Sequence, residues 1–438
     1  MRKYTEVLIV SAVVFATIIA LAAHGQAPDP KELIKRADKL FAEKNYKDAC
    51  RNFEQALETG IENKDLHHAS EHVILCKLRL SLFDDALAAA ESYVKKTANT
   101  YHQARSERLA GNLYLQVPHW GTRAGGKFHR AQYKQGIRLR SYTFDKKHAV
   151  QHLETARDLY TKYDAAGAEM PKEDRDGWHN ERIECLFDLA SAVSRFTIYE
   201  NNWEFWYRWW GDRDDETAET AGEEDFEEYH SRWNLQRTRP IGLRLDKDGN
   251  PIFPFTPKKY ASDLDDDGKI LYLLAETRTL DKTEDGKYTG LSYYRQAMLA
   301  RARFGMDRLN NYAGYYWHGG KYPLKKELED FNPWELKDNE ALVLAGGRIR
   351  KVTLPTQFDV LSLLRVTSGD YAKSGVGDQS QYATGLYYQT RQQYLEAIAE
   401  YDRLEKAFPT STWAGSGRAH KALIRKPQVT INQMGVQL

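Results

Sequence analysis

The segment Gly385–Pro409 constrains the fold of this chain most strongly, because its small and aromatic residues recur at the spacing of a two-helix repeat. Gly385 and Ala397 stand where two short helices would approach closely, and Tyr401 and Leu404 complete the apolar face of the second helix. A single unit of this kind cannot bury its apolar face without neighbours. The segment therefore predicts stacked helical hairpins, a class of fold that usually binds partners.

Further segments repeat the pattern. Ala37–Leu57 carries nearly the same offsets, and Phe83 follows Tyr46 by 37 positions, close to the roughly 34 residues of a tetratricopeptide unit. A fourth unit is split between Tyr101–Gln116 and Asp145–Tyr160. We predict a mainly α fold, a tetratricopeptide-type helical-hairpin solenoid with long irregular insertions that contain a short β-hairpin.

The predicted order of segments follows from these repeats and from shifts in composition. A signal peptide or anchor at 1–25 is followed by repeats at 30–200, with a basic loop inserted at 117–144. Next come an aromatic and acidic insertion with a hairpin at 201–261, a helical hairpin at 262–310 and an irregular insertion at 311–379. A last repeat at 380–424 then leads into the start of a truncated domain at 425–438. In this last segment, Val429 and Ile431 alternate as in a β-strand, which indicates a chain cut at a domain border.

The first residues have the pattern of an export signal. Arg2 and Lys3 precede the apolar run Val7–Ala23, and small residues follow where a signal peptidase cleaves. We expect an exported protein of the periplasm or cell envelope. An uncleaved anchor stays open as an alternative, and the chain would then contact the membrane through this segment only.

The insertion at 117–144 is rich in positive charge. No Asp or Glu occurs from Leu109 to Phe144, and basic residues alternate there with aromatic ones. We expect either a plainly solvated surface or one that binds an acidic protein partner, an anionic envelope polymer or the chain's own acidic segment Asp212–Glu228. The candidate contacts are Arg130, Lys134, Arg138 and Arg140. Nucleic acid is not expected, since the net charge is only +1 and the chain carries an export signal.

The sequence GTRAGGKF at 121–128 comes close to a phosphate-binding loop. Phe128 occupies the position where such a loop needs Ser or Thr, and no strand-to-helix context surrounds it. We expect its glycines to serve a tight turn and a close approach to another element.

The densest aromatic cluster spans Trp203–Trp210, where six of eight residues are aromatic. Buried packing is the favoured interpretation, since aromatic side chains dominate core energetics. The alternative is a glycan-binding surface in the cell envelope, for which Trp203, Trp206, Trp209 and Trp210 are the candidates.

Metal and catalytic motifs are weak. Asp263, Asp265 and Asp267 match the first half of a calcium loop, but Leu274 stands where its bidentate Glu is needed, so we expect helix capping at Lys269–Thr279.

The sequence Asp246–Asn250 predicts a hairpin turn.

Catalytic constellations are absent from the sequence: it contains no nucleophile elbow, no His-Glu-x-x-His pair and no Cys-x-x-Cys. The three cysteines are expected to be buried and free. The helix-compatible pairs His67-His68 and His148–His152 are expected at the surface without a third ligand. We therefore predict a non-enzymatic protein without a cofactor.

Several blocks together resemble one family. The last repeat running into KPQVTI, with VPHWGTRAGGKF, Trp209-Trp210-Gly211, DKDGNP and IRKVTLPTQFDV, is similar to the amino-terminal region of the large alpha-macroglobulin-like proteins of planctomycete-type bacteria. The resemblance implies an amino-terminal scaffold arm joined to downstream macroglobulin domains, with the start of a truncated β-sandwich at 425–438. The family's Cys-x-Glu-Gln thioester motif does not occur here, so the resemblance does not extend to protease trapping.

Overall fold

The computed structural model describes residues 29–132, 134–166, 170, 172–198, 227–228, 243–306, 309, 328–346 and 348–425. These residues form thirteen helices and two small antiparallel sheets, so the fold is mainly α, as predicted. The chain divides into two compact units, Met1–Leu159 with Phe226–Glu228 and Tyr160–Asp225 with Tyr229–Leu438. The predicted signal segment and the predicted C-terminal strand lie outside the described residues.

The described part of the first unit begins with five helices, each of which packs against the next in the chain. They are α1 (Pro30–Ala42), α2 (Tyr46–Glu58), α3 (Asn63–Arg79), α4 (Phe83–Lys96) and α5 (His102–Gln116). Helices α3 and α5 also contact each other. Asp29 and Asn45 cap the first two helices with their side chains, because each accepts a hydrogen bond from a backbone N–H of the first turn.

Small residues lie where these helices meet. Ala37, Ala49, Ala56 and Ala69 are fully buried, and the Phe53 ring fills the space between them. Alanine allows helix axes to approach closely while one large ring supplies the apolar area. The sequence pattern therefore predicted the core of the first helical pairs correctly.

A small sheet follows α5. It consists of β1 (Trp120–Ala124), β2 (Lys127–Arg130), β3 (Ile137–Arg140) and β4 (Glu227–Glu228) in the order β2-β1-β3-β4, with all neighbours antiparallel. Helix α6 (Tyr142–Ala166) then begins. Gly111 of α5 lies directly against α6: a Cβ there would stand 2.6 Å from Leu153 Cγ. The predicted pairing of α5 with the helix beyond the insertion is therefore confirmed.

The second unit contains the remaining helices and a hairpin. They are α7 (Lys172–Ile198), α8 (Asp266–Leu280), α9 (Lys287–Phe304), β5 (Glu340–Ala345), β6 (Arg348–Thr353), α10 (Val360–Gly369), α11 (Gly377–Thr390), α12 (Tyr394–Ala407) and α13 (Thr412–Ile424). Helices α7 to α13 again pack in chain order, and α11 also contacts α13. The Trp178 ring at the start of α7 is buried against Tyr160 and donates a hydrogen bond to its carbonyl.

The turn at Asp246–Asn250 is a hairpin turn, as predicted. Leu245 bridges Pro251 in antiparallel fashion, and Asp246 accepts hydrogen bonds from the backbone N–H groups of Asp248 and Asn250. Leu243 bridges Ala345 at the end of β5.

The range 311–379, expected to be irregular, is regular in its described second half. It contains the hairpin β5–β6, helix α10 and the start of α11. We missed α10 because it spans only ten residues between Pro355 and a glycine-rich stretch. Its buried residues Val360, Leu361 and Leu364 face α9 and α11, so tertiary packing stabilises a helix too short to be marked by periodicity.

The close approach predicted for the last repeat is confirmed. A Cβ at Gly385 would stand 2.5 Å from Cε1 of Tyr401, whose ring is fully buried and whose hydroxyl donates to Gln389 at 2.9 Å. Ala397 and Leu404 are also fully buried.

Among the described helices, none combines the length and the apolar character needed to cross a membrane.

We expect Gly385→Ala to destabilise the second unit by roughly 1–3 kcal/mol, because the new methyl group overlaps a ring that cannot move away. Gly369→Ala is the matched control, since a Cβ there meets nothing within 4 Å and adds helix propensity. Hydrogen exchange of amides in α11 and α12 measures the free energy of opening. Equal exchange in the two variants would contradict the close approach.

Candidate functional site

The basic insertion is a sheet, which corrects the expectation of a loop. β1 and β2 are joined through Gly125 and Gly126, whose φ angles of 58° and 76° suit a type I′ hairpin turn. Gly121 lies so close to the facing strand that a Cβ would stand 2.3 Å from the His129 carbonyl oxygen. The glycines therefore serve a turn and a close approach, as predicted. We missed the strands because basic residues and glycines interrupt their apolar alternation.

Arg130 anchors the sheet instead of facing solvent. It is only 4% exposed, and its guanidinium donates to both carboxylate oxygens of Asp145, at 2.8 and 3.0 Å. The same group donates to the Pro118 carbonyl and to the Ser141 hydroxyl oxygen. A buried bidentate pair of this kind fixes geometry strongly, and removing one partner leaves an uncompensated charge. The expectation that Arg130 contacts a partner is therefore wrong.

Asp145 is the centre of this anchor. It is fully buried at the start of α6 and accepts further hydrogen bonds from the Ser141 hydroxyl at 2.6 Å and from His119 Nδ1–H at 2.8 Å. Both ends of the insertion thus converge on one carboxylate. The position of the sheet is set by these bonds to the helix that follows it.

The other basic candidates lie outside the anchor. Lys134 and Arg138 are exposed, Arg140 is half-buried, and Lys127 adds a further exposed cation. Lys134 Nζ lies 3.1 Å from His129 Nδ1. Trp120, which is 38% exposed, shares a sheet face with Lys127 and Arg138, whereas Ile137 lies on the opposite face. We call this set, Trp120, Lys127, Lys134 and Arg138, the sheet surface.

A charged cluster lies among α4, α5 and α6. His152 Nδ1 lies 2.6 Å from Glu107 Oε2, and its Nε2 lies 3.1 Å from Glu91 Oε1. The Tyr114 hydroxyl donates to Glu91 at 3.0 Å, and the Tyr114 ring stacks on the imidazole. His152 is therefore not the solvated surface histidine that we expected. Its partners lie 45 and 61 residues away in sequence, which local spacing cannot reveal.

The cluster holds His152 in its charged form. Burial by itself lowers the pKa of the imidazole, but hydrogen bonds to Glu107 and Glu91 outweigh it and raise the pKa from 6.5 to about 9. The hydrogen bond from His152 lowers the pKa of Glu91 in turn. At neutral pH the group is thus an imidazolium between two carboxylates, which stabilises the packing of three helices.

The aspartates of the calcium-like sequence take part in helix capping. Asp265 caps α8 by accepting from the Gly268 N–H at 2.6 Å, and Asp267 accepts from Arg303 at 2.7 Å. Asp263 is exposed. Within the described residues, the only three metal-ligand side chains whose donor atoms converge are Asp38, His68 and His72.

All three cysteines are free and buried, as predicted. Burial raises the pKa of Cys50 to about 11 and that of Cys76 to about 12, so both thiols stay protonated near neutral pH. An activated thiolate nucleophile is therefore not available at these two positions.

A cleft in the second unit has a volume of about 910 Å³ and lies between the α8–α9 loop and the segment after α10. Two of its charged residues have partners nearby: Arg278 donates to Ser292 and Gln296, and Asp281 accepts from the Thr283 hydroxyl and the Thr289 N–H. Burial by itself raises the pKa of Asp281, but these hydrogen bonds outweigh it and lower the pKa. Asp281 thus supports the loop that forms one side of the cleft.

The candidate aromatic surface, Trp203, Trp206, Trp209 and Trp210, lies outside the described residues.

No protein-family model matches the chain, and a comparison with curated proteins returns no match. Among solved structures, the chain is similar to residues 1–338 of an assembly chaperone of RpL4 (Acl4), with a TM-score of 0.33 and 11% identity over 90% of this chain and 97% of that chain.

The raised pKa of His152 predicts a loss of stability at alkaline pH. A group whose pKa is about 6.5 when unfolded and about 9 when folded contributes fully below pH 6.5, and its contribution declines as pH rises through 9. We expect the first unit to lose on the order of 2 kcal/mol between pH 6.5 and 10. Urea unfolding at each pH, compared with His152→Gln, measures this difference. A variant with the same pH dependence as the original chain would contradict the assignment.

Proposed function

We propose that the chain is a non-enzymatic tetratricopeptide-type scaffold for protein–protein interaction. The observation that supports this most directly is the order of packing. Among the described helices, successive members of the series α1 to α5 pack against each other, and so do successive members of the series α7 to α13. Contacts also join α3 to α5 and α11 to α13. Nearest-neighbour packing is the arrangement of repeat proteins, whose extended surfaces bind other proteins.

The sheet surface is the proposed binding site for an acidic protein segment. Its three exposed cations supply attraction, and the side chain of Trp120 supplies apolar contact area. Because Arg130 and Asp145 fix the sheet on α6, these groups are held in place before a partner arrives. Preorganisation of this kind lowers the entropic cost of binding.

The sequence resemblance to alpha-macroglobulin-like proteins supports a proposal for the location of the chain. We propose an exported chain of the periplasm or cell envelope that forms the amino-terminal arm of an alpha-macroglobulin-like protein. In that setting the acidic segment belongs to a downstream domain or to an envelope protein, or it is the chain's own Asp212–Glu228, of which Glu227 and Glu228 pair with β3.

We expect the variant with Lys127→Glu, Lys134→Glu and Arg138→Glu to bind a fluorescein-labelled polyglutamate peptide at least tenfold more weakly at low ionic strength, because attraction at this surface becomes repulsion. Fluorescence anisotropy measures the change, and added salt should weaken binding by the unsubstituted chain.

The matched control carries Lys31→Glu, Lys35→Glu and Lys47→Glu, which changes the net charge equally at exposed positions of α1 and α2. Its binding should stay within about twofold of the unsubstituted chain, since overall charge alone acts weakly across a screened distance. Equal losses in the two triple variants would show unspecific attraction and reject the sheet surface as the site.

A further inference from the structure

Three side chains with metal-ligand atoms converge between α1 and α3 in the first unit. Asp38 belongs to α1, while His68 and His72 stand one turn apart on the same face of α3. One ligand atom of each residue lies within 4.8 Å of the other two. The histidine pair is visible in the sequence, but its third member is contributed by a helix 30 residues earlier in the chain.

Hydrogen bonds hold these side chains close together in orientations that suit a bound cation. His68 Nε2 lies 2.7 Å from Asp38 Oδ1, and His72 Nδ1 lies 2.9 Å from the His68 carbonyl oxygen. A carbonyl oxygen only accepts, so His72 carries its proton on Nδ1 and, when neutral, keeps the lone pair on Nε2. Metal-binding histidines have this second contact, which fixes the tautomer and the orientation of the ring.

Aromatic residues hold the two imidazoles from the core side. The His72 ring packs against Phe41 at 5.0 Å and Phe53 at 5.1 Å, and the two imidazole rings lie 4.1 Å apart between centroids. Phe53 is fully buried, whereas Asp38, His68 and His72 are each half-buried. The ligand side of the group is therefore open to an ion from solvent, and its rear is rigid.

We propose that Asp38, His68 and His72 bind a divalent transition-metal ion of the Zn²⁺ class. Two imidazole nitrogens and one carboxylate oxygen suit such an ion, whereas Ca²⁺ and Mg²⁺ prefer oxygen ligands alone. With metal–ligand distances of about 2.0–2.1 Å, tetrahedral ligands are separated by roughly 3.3 Å. The His68–Asp38 hydrogen bond of 2.7 Å must therefore open by only about half an ångström, and His68 gives up the proton it shares.

The bound ion joins α1 to α3, which are helices of successive pairs. Since an ion that binds only the folded chain stabilises it by mass action, metal should protect this part of the first unit from opening. Three protein ligands leave a fourth position for water or for a carboxylate of another molecule.

The test uses the full chain without a polyhistidine tag. We expect titration with Co²⁺ to give visible absorption bands of a four-coordinate site that saturate at one equivalent, and Zn²⁺ to displace them. Asp38→Asn and His72→Gln should each weaken Zn²⁺ binding at least tenfold in calorimetry. His67→Gln is the matched control on α3, because His67 contacts Tyr93 and lies outside the group of three.

Hydrogen exchange gives a second measurement that does not depend on the spectrum. Micromolar Zn²⁺ should slow exchange in α1 and α3 of the unsubstituted chain and of His67→Gln, and it should leave both ligand variants unchanged. Absence of saturable binding at 100 µM metal, or equal binding by Asp38→Asn, would show that these residues form only a histidine–carboxylate hydrogen bond.

Discussion

This fold depends on the packing of large side chains directly against glycine residues of a neighbouring helix. Tyr401 lies against Gly385, and Leu153 lies against Gly111. At each place two helices approach so closely that even one methyl group would overlap its neighbour. These contacts set the distance between paired helices, and the order of helix packing in each unit follows from them.

Buried ion pairs fix the positions of elements that helix packing alone does not hold in place. The sheet is bound to α6 through Arg130 and Asp145, and α4, α5 and α6 are joined by the imidazolium of His152 between two glutamates. Such groups lose hydration when buried, so they persist only because each charge finds a partner with good geometry. They give the first unit a defined arrangement around its insertion, and the proposed binding surface is a consequence of that arrangement.

Sequence reasoning succeeded where the determining contacts are local. Small residues such as Ala397 marked the helix crossings, and Asp265 marked the start of α8. It failed where a side chain meets a partner far along the chain. In the sequence, Arg130 cannot be distinguished from an exposed basic residue, because only the folded chain brings it to Asp145. The convergence of Asp38 with His68 and His72 was missed for the same reason, since Asp38 precedes them by a whole helix.

Helices α5 and α6 form one helical pair although a sheet is inserted between them. A double-mutant cycle of Gly111→Ala and Leu153→Ala tests this, with the free energy of opening measured by hydrogen exchange in α5. We predict that Gly111→Ala costs roughly 1–3 kcal/mol alone and at least 1 kcal/mol less when Leu153 is already truncated, because the overlapping atoms are then gone. Strictly additive effects would contradict the pairing.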